Sequence, residues 1–302
     1  MQIDLIDSIA LQNTLGEAVI WDERTGHIWW TDIPQRLLYR YAWEGKTCEN
    51  FVVPERIGSL GLTSDPDILI IAFESGFGLF SPLTGKIVWL HRPEKDDTGR
   101  RFNDGRVDRQ GHFWAGTMVE DDKKAAPASG SLYRIGPSAI TAVMTNNIII
   151  SNGICWSMDS SILYFADSPR QTIFAYDYAP QSDKITNKRI FAATPDGIYP
   201  DGADVDSQGH IWSAQWGGGR IVRYAPDGSI DHILTLPARQ PTCIAFGGPD
   251  MTMLFVTTAR DGLTAQQLAK EPQAGNLLIY QTDITGLPAQ KYPLENIIQA
   301  KK

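Results

Sequence analysis

The feature that most constrains the fold of this chain is an internal repeat. Its clearest copies are RFNDGRVDRQGHFWAGT at residues 101–117 and YPDGADVDSQGHIWSAQ at residues 199–215. The two copies share the phrase VDxQGHxW, and the same alignment sets the polar residue Asn103 of the first against Asp201 of the second. A constant frame with one variable polar position indicates a repeated structural unit whose copies supply different side chains.

Six segments of the chain have the same form, in which a turn rich in Gly, Asp, Ser or Pro precedes a short apolar and aromatic run. They read DERTGHIWWTD, SDPDILIIAFE, DRQGHFWAGT, MDSSILYFAD, DSQGHIWSAQ and GGPDMTMLFVTT. This composition is typical of β-hairpins, and a further strand-like run follows each segment. Repeats of about 40–50 residues with about four strands each predict an all-β, six-bladed β-propeller, with four-stranded antiparallel blades around a central channel.

The parts of the chain outside these repeats complete the predicted ring. The N-terminal run IDLIDSIA is expected to pair with the last blade, which leaves no exposed sheet edge. Only residues 263–272 have a pattern suited to a helix, and a short one. No linker or break in composition separates the repeats, so the prediction is a single domain of residues 1–302.

Charge and cysteine content limit the classes of partner. The net charge of -8 and the pI near 5.1 argue against nucleic acid or an anionic membrane as a partner, because either would need a basic surface. The three cysteines have no CxxC spacing and are expected to be small core residues in a reducing compartment. The N-terminus lacks the basic start and apolar run of a secretion signal. A cytoplasmic protein is predicted, and its oligomeric state is left open.

The blade repeat also predicts a site on the propeller axis, because the first strand of every blade lines the channel. The matched position on that strand is polar in all six blades: Glu17, Ser59, Asn103, Asn152, Asp201 and Thr242. Two carboxylates buried at one axis repel each other unless a cation lies between them. Carboxylate and amide oxygens favour Ca²⁺, Mg²⁺ or Mn²⁺, with Zn²⁺ or Fe²⁺ also possible, so one divalent metal ion is predicted.

Simpler interpretations apply to some of these polar residues. A polar residue at the start of a strand often caps backbone groups, and six such residues on one ring are harder to explain in that way. Ser59 and Thr242 are expected to be hydroxyls that line the channel rather than ligands. Asp108 and Asp206, in the repeated turns, are expected to be structural.

Several phrases of the chain resemble a known family. In order they are LGEAVIWD (15–22), RFNDGRVD (101–108), GTMVED (116–121), ISNGICWSMD (150–159), YPDGADVD (199–206) and FGGPDMTMLFVTTAR (246–260). With them the sequence resembles the SMP-30/gluconolactonase/regucalcin-like family of six-bladed propeller lactonases. The phrases IYPDG and QWGGG look closer to bacterial sugar-lactone lactonases, such as the xylonolactonase and arabinonolactonase types, than to the animal regucalcins. The resemblance implies that the metal ligands are Glu17, Asn152 and Asp201, and that the substrate-contacting residues are Arg101, Asn103 and Glu120.

The function predicted from the residues and the resemblance is metal-dependent hydrolysis of a sugar lactone to the aldonic acid. A divalent metal can polarise the ester carbonyl and lower the pKa of a bound water, and the absence of GxSxG disfavours a covalent acyl-enzyme. Asp201 is predicted to act both as a metal ligand and as the general base. Two alternatives remain open, namely a non-enzymatic calcium-binding or scaffold propeller, and a metal-dependent esterase or organophosphate hydrolase on the same fold.

Overall fold

The protein is a six-bladed β-propeller, as its repeats predict. The computed structural model describes residues 1–97, 99–121, 123, 129–136, 141–181 and 184–294. These residues form six small sheets, five of them with four strands and one with five. Residues 295–302 of the predicted domain lie outside the described residues.

In each of the first five blades, four strands that follow one another along the chain form a meander. The first three blades are β2 (Gly16–Asp22), β3 (His27–Asp32), β4 (Leu37–Ala42) and β5 (Thr47–Val52); β6 (Ile57–Thr63), β7 (Leu69–Phe73), β8 (Gly76–Ser81) and β9 (Lys86–His91); and β10 (Arg100–Val107), β11 (Phe113–Val119), β12 (Gly130–Ile135) and β13 (Thr141–Ile148). The next two are β14 (Ser151–Trp156), β15 (Ile162–Asp167), β16 (Thr172–Tyr178) and β17 (Ile185–Ala193); and β18 (Tyr199–Val205), β19 (Ile211–Trp216), β20 (Arg220–Tyr224) and β21 (Ile230–Thr235). The sixth blade combines β22 (Pro241–Gly247), β23 (Met253–Thr258) and β24 (Leu277–Thr282) with β1 (Ile3–Ile9).

The N-terminal strand closes the ring, which confirms the predicted pairing. β1 runs antiparallel to β24, with Ile3 opposite Thr282 and Ile9 opposite Leu277. The sixth blade is therefore built from the N-terminal strand β1 and from three strands near the C-terminal end of the described chain. Because β1 leads directly into the first blade, the first and sixth blades cannot separate without breaking this sheet.

The C-terminal segment 284–294 adds a second closure that the sequence did not predict. Its Gly286 pairs with Asp206 of the fifth blade, and its short strand β25 (Lys291–Tyr292) then runs parallel to β6 of the second blade. Tyr292 is fully buried, and its hydroxyl donates a hydrogen bond to the carbonyl of Gly136 beyond the third blade. One segment thus ties together blades that are far apart in the ring.

The hydrophobic core consists of six clusters, one between each pair of neighbouring blades. The cluster between the first and second blades, for example, packs Trp29 and Leu38 against Leu62 and Phe73. The cluster between the fifth and sixth blades packs Trp212 against Phe246, with their ring centroids 5.4 Å apart. Burial is therefore spread around the ring, and every blade depends on both of its neighbours.

The repeated VDxQGHxW phrase forms a turn that is held by its aspartate. In the third blade Asp108 accepts hydrogen bonds from the amides of Gln110 and His112, both at 2.9 Å, and from the indole of Trp114 at 2.8 Å. Asp206 makes the corresponding bonds in the fifth blade, including one of 2.8 Å from the indole of Trp212. Both aspartates are buried, and both oxygens of each carboxylate accept hydrogen bonds within the turn, so their predicted structural role is confirmed.

Smaller expectations were met in part. The predicted short helix is present as α1 (Ala265–Lys270), capped by Thr264. All three cysteines are free, but only Cys155 and Cys243 are buried, whereas Cys48 lies exposed on an outer strand, contrary to the expectation of a core position. Among the described residues, no helix has the length and apolar character needed to cross a membrane.

Candidate active site

A cavity of about 420 Å³ opens at the end of the channel where the inner strands begin. Its wall is formed by Leu15, Glu17, Arg101, Asn103, Met118, Ile150, Asn152, Ser168, Pro169, Tyr199, Asp201, Trp216 and Asp261. Five of the six site residues named in the sequence analysis therefore meet in one cavity. The sixth, Glu120, contacts Arg101 and is not among the lining residues that the structure describes.

Irregular pairing of the inner strands turns the polar side chains toward the axis. The register between the first two strands of a blade shifts after Glu17, after Asn152 and after Pro200, next to Asp201. At Glu17 the bulge is completed by Ala18, whose φ of 56° lies in the left-handed region that non-glycine residues rarely adopt. Bulges of this kind are a common means of re-aiming a side chain at a functional site.

Glu17 and Asp201 form a pair of buried acids, each only 6% exposed. Burial, followed by the charge of Asp104, raises the pKa of Glu17 to about 8, although the amide of Ala18 donates a bond of 3.0 Å to its carboxylate. The pKa of Asp201 is raised well above its usual range by burial and by the charge of Glu17. Two acids that resist ionisation together would be stabilised by a shared cation.

Asn152 is held by hydrogen bonds on both ends of its amide. Its Nδ2 donates to Ser168 Oγ at 2.8 Å, and Ser168 in turn donates to the carbonyl of Pro200 at 2.7 Å. Its Oδ1 accepts a bond of 2.9 Å from Asn103 Nδ2. One lone pair of that oxygen remains, so Asn152 can offer a fixed amide oxygen to the cavity.

Arg101 is buried beside Asn103 and oriented by an acid behind it. Its Nη1 donates to Asn103 Oδ1 at 2.7 Å, and its Nε donates to Glu120 Oε1 at 2.9 Å. Glu120 also binds both terminal nitrogens of Arg56, and these bonds lower the pKa of Glu120 although burial opposes them. Nη2 of Arg101 makes no hydrogen bond to a described residue, which leaves it available to a ligand in the cavity.

The residues present fit a divalent cation. Asp201 Oδ1 is buried and has no hydrogen-bond partner among the described residues, and the neighbouring carboxylate of Glu17 is equally buried. Nowhere in the described parts of the chain do three or more His, Cys, Asp or Glu side chains gather as a metal site. A metal at this position would therefore need the amide oxygen of Asn152 as its third protein ligand, which is the hard oxygen set expected for Ca²⁺ or Mg²⁺.

Ser59 and Thr242 take their predicted places on the ring but not on the cavity wall. Both are completely buried, and Thr242 Oγ1 is bonded to the carbonyl of Gly16 and to Thr257. Because neither hydroxyl lines the cavity, this placement agrees with the expectation that Ser59 and Thr242 are not ligands.

Several residues that shape the site were not predicted from the sequence. Asp104 is buried next to the cavity, where its Oδ2 accepts the amide of Ile154 at 3.1 Å and its charge raises the pKa of both Glu17 and Asp201. Ser168 could have been noticed only as a polar residue that follows a strand, since nothing in its spacing connects it with Asn152.

The rim residues Tyr199, Trp216 and Asp261 were also missed. Tyr199 and Trp216 face each other across β18 and β19, whereas Asp261 lies in the loop after β23. The aromatic residue of the QWGGG phrase was visible in the sequence, but only the three-dimensional arrangement shows that it faces the same cavity as Asp201.

Comparison with known proteins gives a consistent set of relatives. Residues 15–260 match the profile of the family described as SMP-30/Gluconolactonase/LRE-like region. The chain is 36% identical to an L-arabinolactonase of Azospirillum brasilense, over 93% of each chain, and 34% identical to a 6-deoxy-6-sulfogluconolactonase of Pseudomonas putida, over 91% of this chain and 93% of that one. Its fold matches the crystal structure of a calcium-binding protein, regucalcin, from Agrobacterium tumefaciens, with a TM-score of 0.88 and 29% identity over 95% of this chain and 97% of that one.

Proposed function

We propose that this chain, which belongs to the SMP-30/gluconolactonase/LRE-like family, opens a sugar lactone by direct attack of water activated between Glu17, Asn152 and Asp201. It is a sugar lactone hydrolase, as are the relatives named as lactonases. The observation that carries the mechanism is the meeting of two buried acids of raised pKa and one fixed amide oxygen in a single cavity.

Glu17, Asn152 and Asp201 are the proposed ligands of one divalent cation. When bound, such an ion polarises a lactone carbonyl and lowers the pKa of a water molecule toward neutrality. The oxygen ligands favour Ca²⁺, Mg²⁺ or Mn²⁺, and the calcium-binding regucalcin among the structural neighbours supports a divalent ion of this kind. Zn²⁺ and Fe²⁺ are included in the test below.

Asp201 is the proposed general base. A carboxylate has two oxygens, so the group whose Oδ1 has no hydrogen-bond partner among the described residues can offer one oxygen to the cation and accept a proton from the attacking water with the other. The water oxygen bonds to the carbonyl carbon, the bond between that carbon and the ring oxygen breaks, and the proton held by Asp201 passes to the ring oxygen, which leaves as a hydroxyl. The products are the aldonic acid and a regenerated carboxylate.

Arg101 and Asn103 are the proposed substrate contacts within the cavity. The free Nη2 of Arg101 can donate hydrogen bonds to lactone oxygens, while its bonds to Asn103 and Glu120 hold the guanidinium in one orientation. Glu120 remains a proposed substrate contact at the edge of the site. The contacts that the structure gives it support a further role in positioning Arg101.

The experiment that tests this function is a pH-indicator assay on a panel of five- and six-carbon aldonolactones. The protein is first stripped with a chelator and then supplied separately with Ca²⁺, Mg²⁺, Mn²⁺, Zn²⁺ or Fe²⁺. Acid release that stops on stripping and returns with at least one of these ions is expected.

The variant Asp201→Asn should fold normally but lose activity by about 100-fold or more, because general bases contribute factors of 10²–10⁴. The matched control is Asp227→Asn, which changes an exposed turn aspartate away from the cavity and should be fully active. Undiminished turnover in Asp201→Asn would refute the mechanism.

The assay separates the alternatives when it is run also on phosphotriesters and beside a calorimetric titration with Ca²⁺. Binding of Ca²⁺ without turnover of any lactone would favour a calcium-binding protein, the description of the structural neighbour. Turnover of phosphotriesters alone would favour an organophosphate hydrolase. Either result would contradict the proposed reaction.

A further inference from the structure

The rim of the cavity contains one acid that the proposed reaction does not use. Asp261 lines the cavity from the loop after β23, and its side chain is exposed. Its backbone is fixed, because its amide donates to the carbonyl of Thr14 at 3.0 Å and its carbonyl accepts Nε2 of Gln240 at 3.1 Å. Its carboxylate has no hydrogen bond or ion pair with a described residue, so a charged group is held at the cavity mouth without a partner.

Asp261 also lies on the opposite side of the cavity from Arg101, which is the cation among the described residues of the wall. It belongs to the sixth blade and Arg101 to the third, and these blades face each other across a ring of six. A lactone with its carbonyl end at Arg101 would have its other end on the side of the cavity that carries Asp261.

The surface between these two ends is mainly apolar. Tyr199 and Trp216 are register partners on the two adjacent strands β18 and β19 of the fifth blade. Tyr199 lies two residues before Asp201 on the same strand. Leu15, Met118 and Ile150 continue this wall around the cavity. Such a surface suits the C–H face of a sugar ring, and a few placed polar groups then decide which substituents are accepted.

We propose that Asp261 restricts the substrate to uncharged sugar lactones. Its carboxylate accepts hydrogen bonds from the hydroxyl groups at the end of the sugar that lies farthest from the ester, and it repels lactones that carry a phosphate, sulfonate or carboxylate there. This inference rests on the proposed lactonase function and narrows its substrate class.

Charge balance within the cavity supports this selection. A divalent ion would neutralise the two acids Glu17 and Asp201. Arg101 forms an ion pair with Glu120, which also pairs with Arg56. Among the described residues of the rim, Asp261 is therefore a charge without an ion-pair partner. An anionic substituent beside it meets repulsion, whereas a hydroxyl finds an acceptor.

The test compares a neutral six-carbon aldonolactone with the same lactone carrying a phosphate at carbon 6, using the metal-loaded enzyme. The wild type is expected to prefer the neutral lactone in kcat/KM by tenfold or more. In Asp261→Asn the ratio of the two kcat/KM values should fall by about tenfold, through KM rather than kcat, because an amide of the same size removes the charge and keeps one acceptor oxygen. Asp261→Lys should reverse the preference.

The matched control is Asp250→Asn, an exposed aspartate in the turn before β23, at the other end of the same blade. It should leave the ratio unchanged. The preference should also weaken as salt is raised, since an exposed charge is screened.

An unchanged ratio in Asp261→Asn, with the neutral lactone still hydrolysed, would overturn this inference alone. Absence of turnover with every lactone would overturn the proposed function and this inference with it.

Discussion

At the level of single residues, the hydrogen bonds of each buried polar side chain distinguish structural residues from candidate ligands. Asp108 and Asp201 are both buried aspartates, but Asp108 is saturated by turn amides and an indole, whereas Asp201 keeps an oxygen without a partner. The structure therefore separates a structural acid from a candidate ligand by their hydrogen bonds. The sequence separated them by position, since Asp108 follows the strand and Asp201 lies within it.

The pKa of Glu17 leads to a prediction for the metal-free protein. Its pKa is raised to about 8 from an ordinary 4.5 in the folded state, so the protonated form favours folding. That contribution is fully present below about pH 4.5 and is lost as the pH rises to about 8. Glu17→Gln stays neutral, so its Tm relative to the wild type should increase over this range by about 3 °C or more and then level off.

The measurement is thermal unfolding in chelator between pH 5 and pH 9. Glu44→Gln, which changes an exposed glutamate, is the control and should run parallel to the wild type. A Tm difference between Glu17→Gln and the wild type that does not change with pH would show that Glu17 is ionised in the metal-free fold.

At the level of strands and loops, the repeated phrases predicted the hairpins because turn chemistry is local. The six turns and the strands that follow them are where the sequence places them, and so is the strand β1. The bulges beside Glu17 and Asn152 were not predicted, because a register shift depends on how two strands pair and not on composition. The same limit applies to the rim, where Tyr199 and Trp216 of the fifth blade lie on the same cavity as Asp261 of the sixth.

The C-terminal strand β25 is the clearest element that sequence patterns missed, since it has two residues and no repeat. Its importance can be tested at Tyr292, which is fully buried in the cluster between the second and third blades. Tyr292→Ala should lower the free energy of unfolding by about 3–5 kcal/mol, the usual cost of deleting a buried aromatic ring. Tyr292→Phe keeps the ring and loses only the bond to Gly136, so about 1 kcal/mol is expected.

Urea unfolding of both variants beside the wild type gives the comparison. If Tyr292→Ala were as stable as the wild type, the C-terminal segment would not be a structural closure of the ring. A loss in Tyr292→Phe equal to that in Tyr292→Ala would assign the effect to the hydroxyl rather than to packing.

At the level of the whole molecule, the ring brings distant parts of the chain to one axis. Glu17, Asn152 and Asp201 come from the first, fourth and fifth blades, and they share a cavity because equivalent positions of a propeller converge. This convergence was predictable, since it follows from the repeat alone. Which ring positions would reach the cavity was not, as Ser59 and Thr242 show by lying outside it.

The central claim is that these three side chains hold one divalent ion. The most direct measurement is anomalous diffraction from crystals of the protein loaded with Mn²⁺. A single strong peak is expected within about 2.6 Å of carboxylate oxygens of Glu17 and Asp201 and of Oδ1 of Asn152. A cavity without a peak, or a peak that contacts none of these three residues, would contradict it.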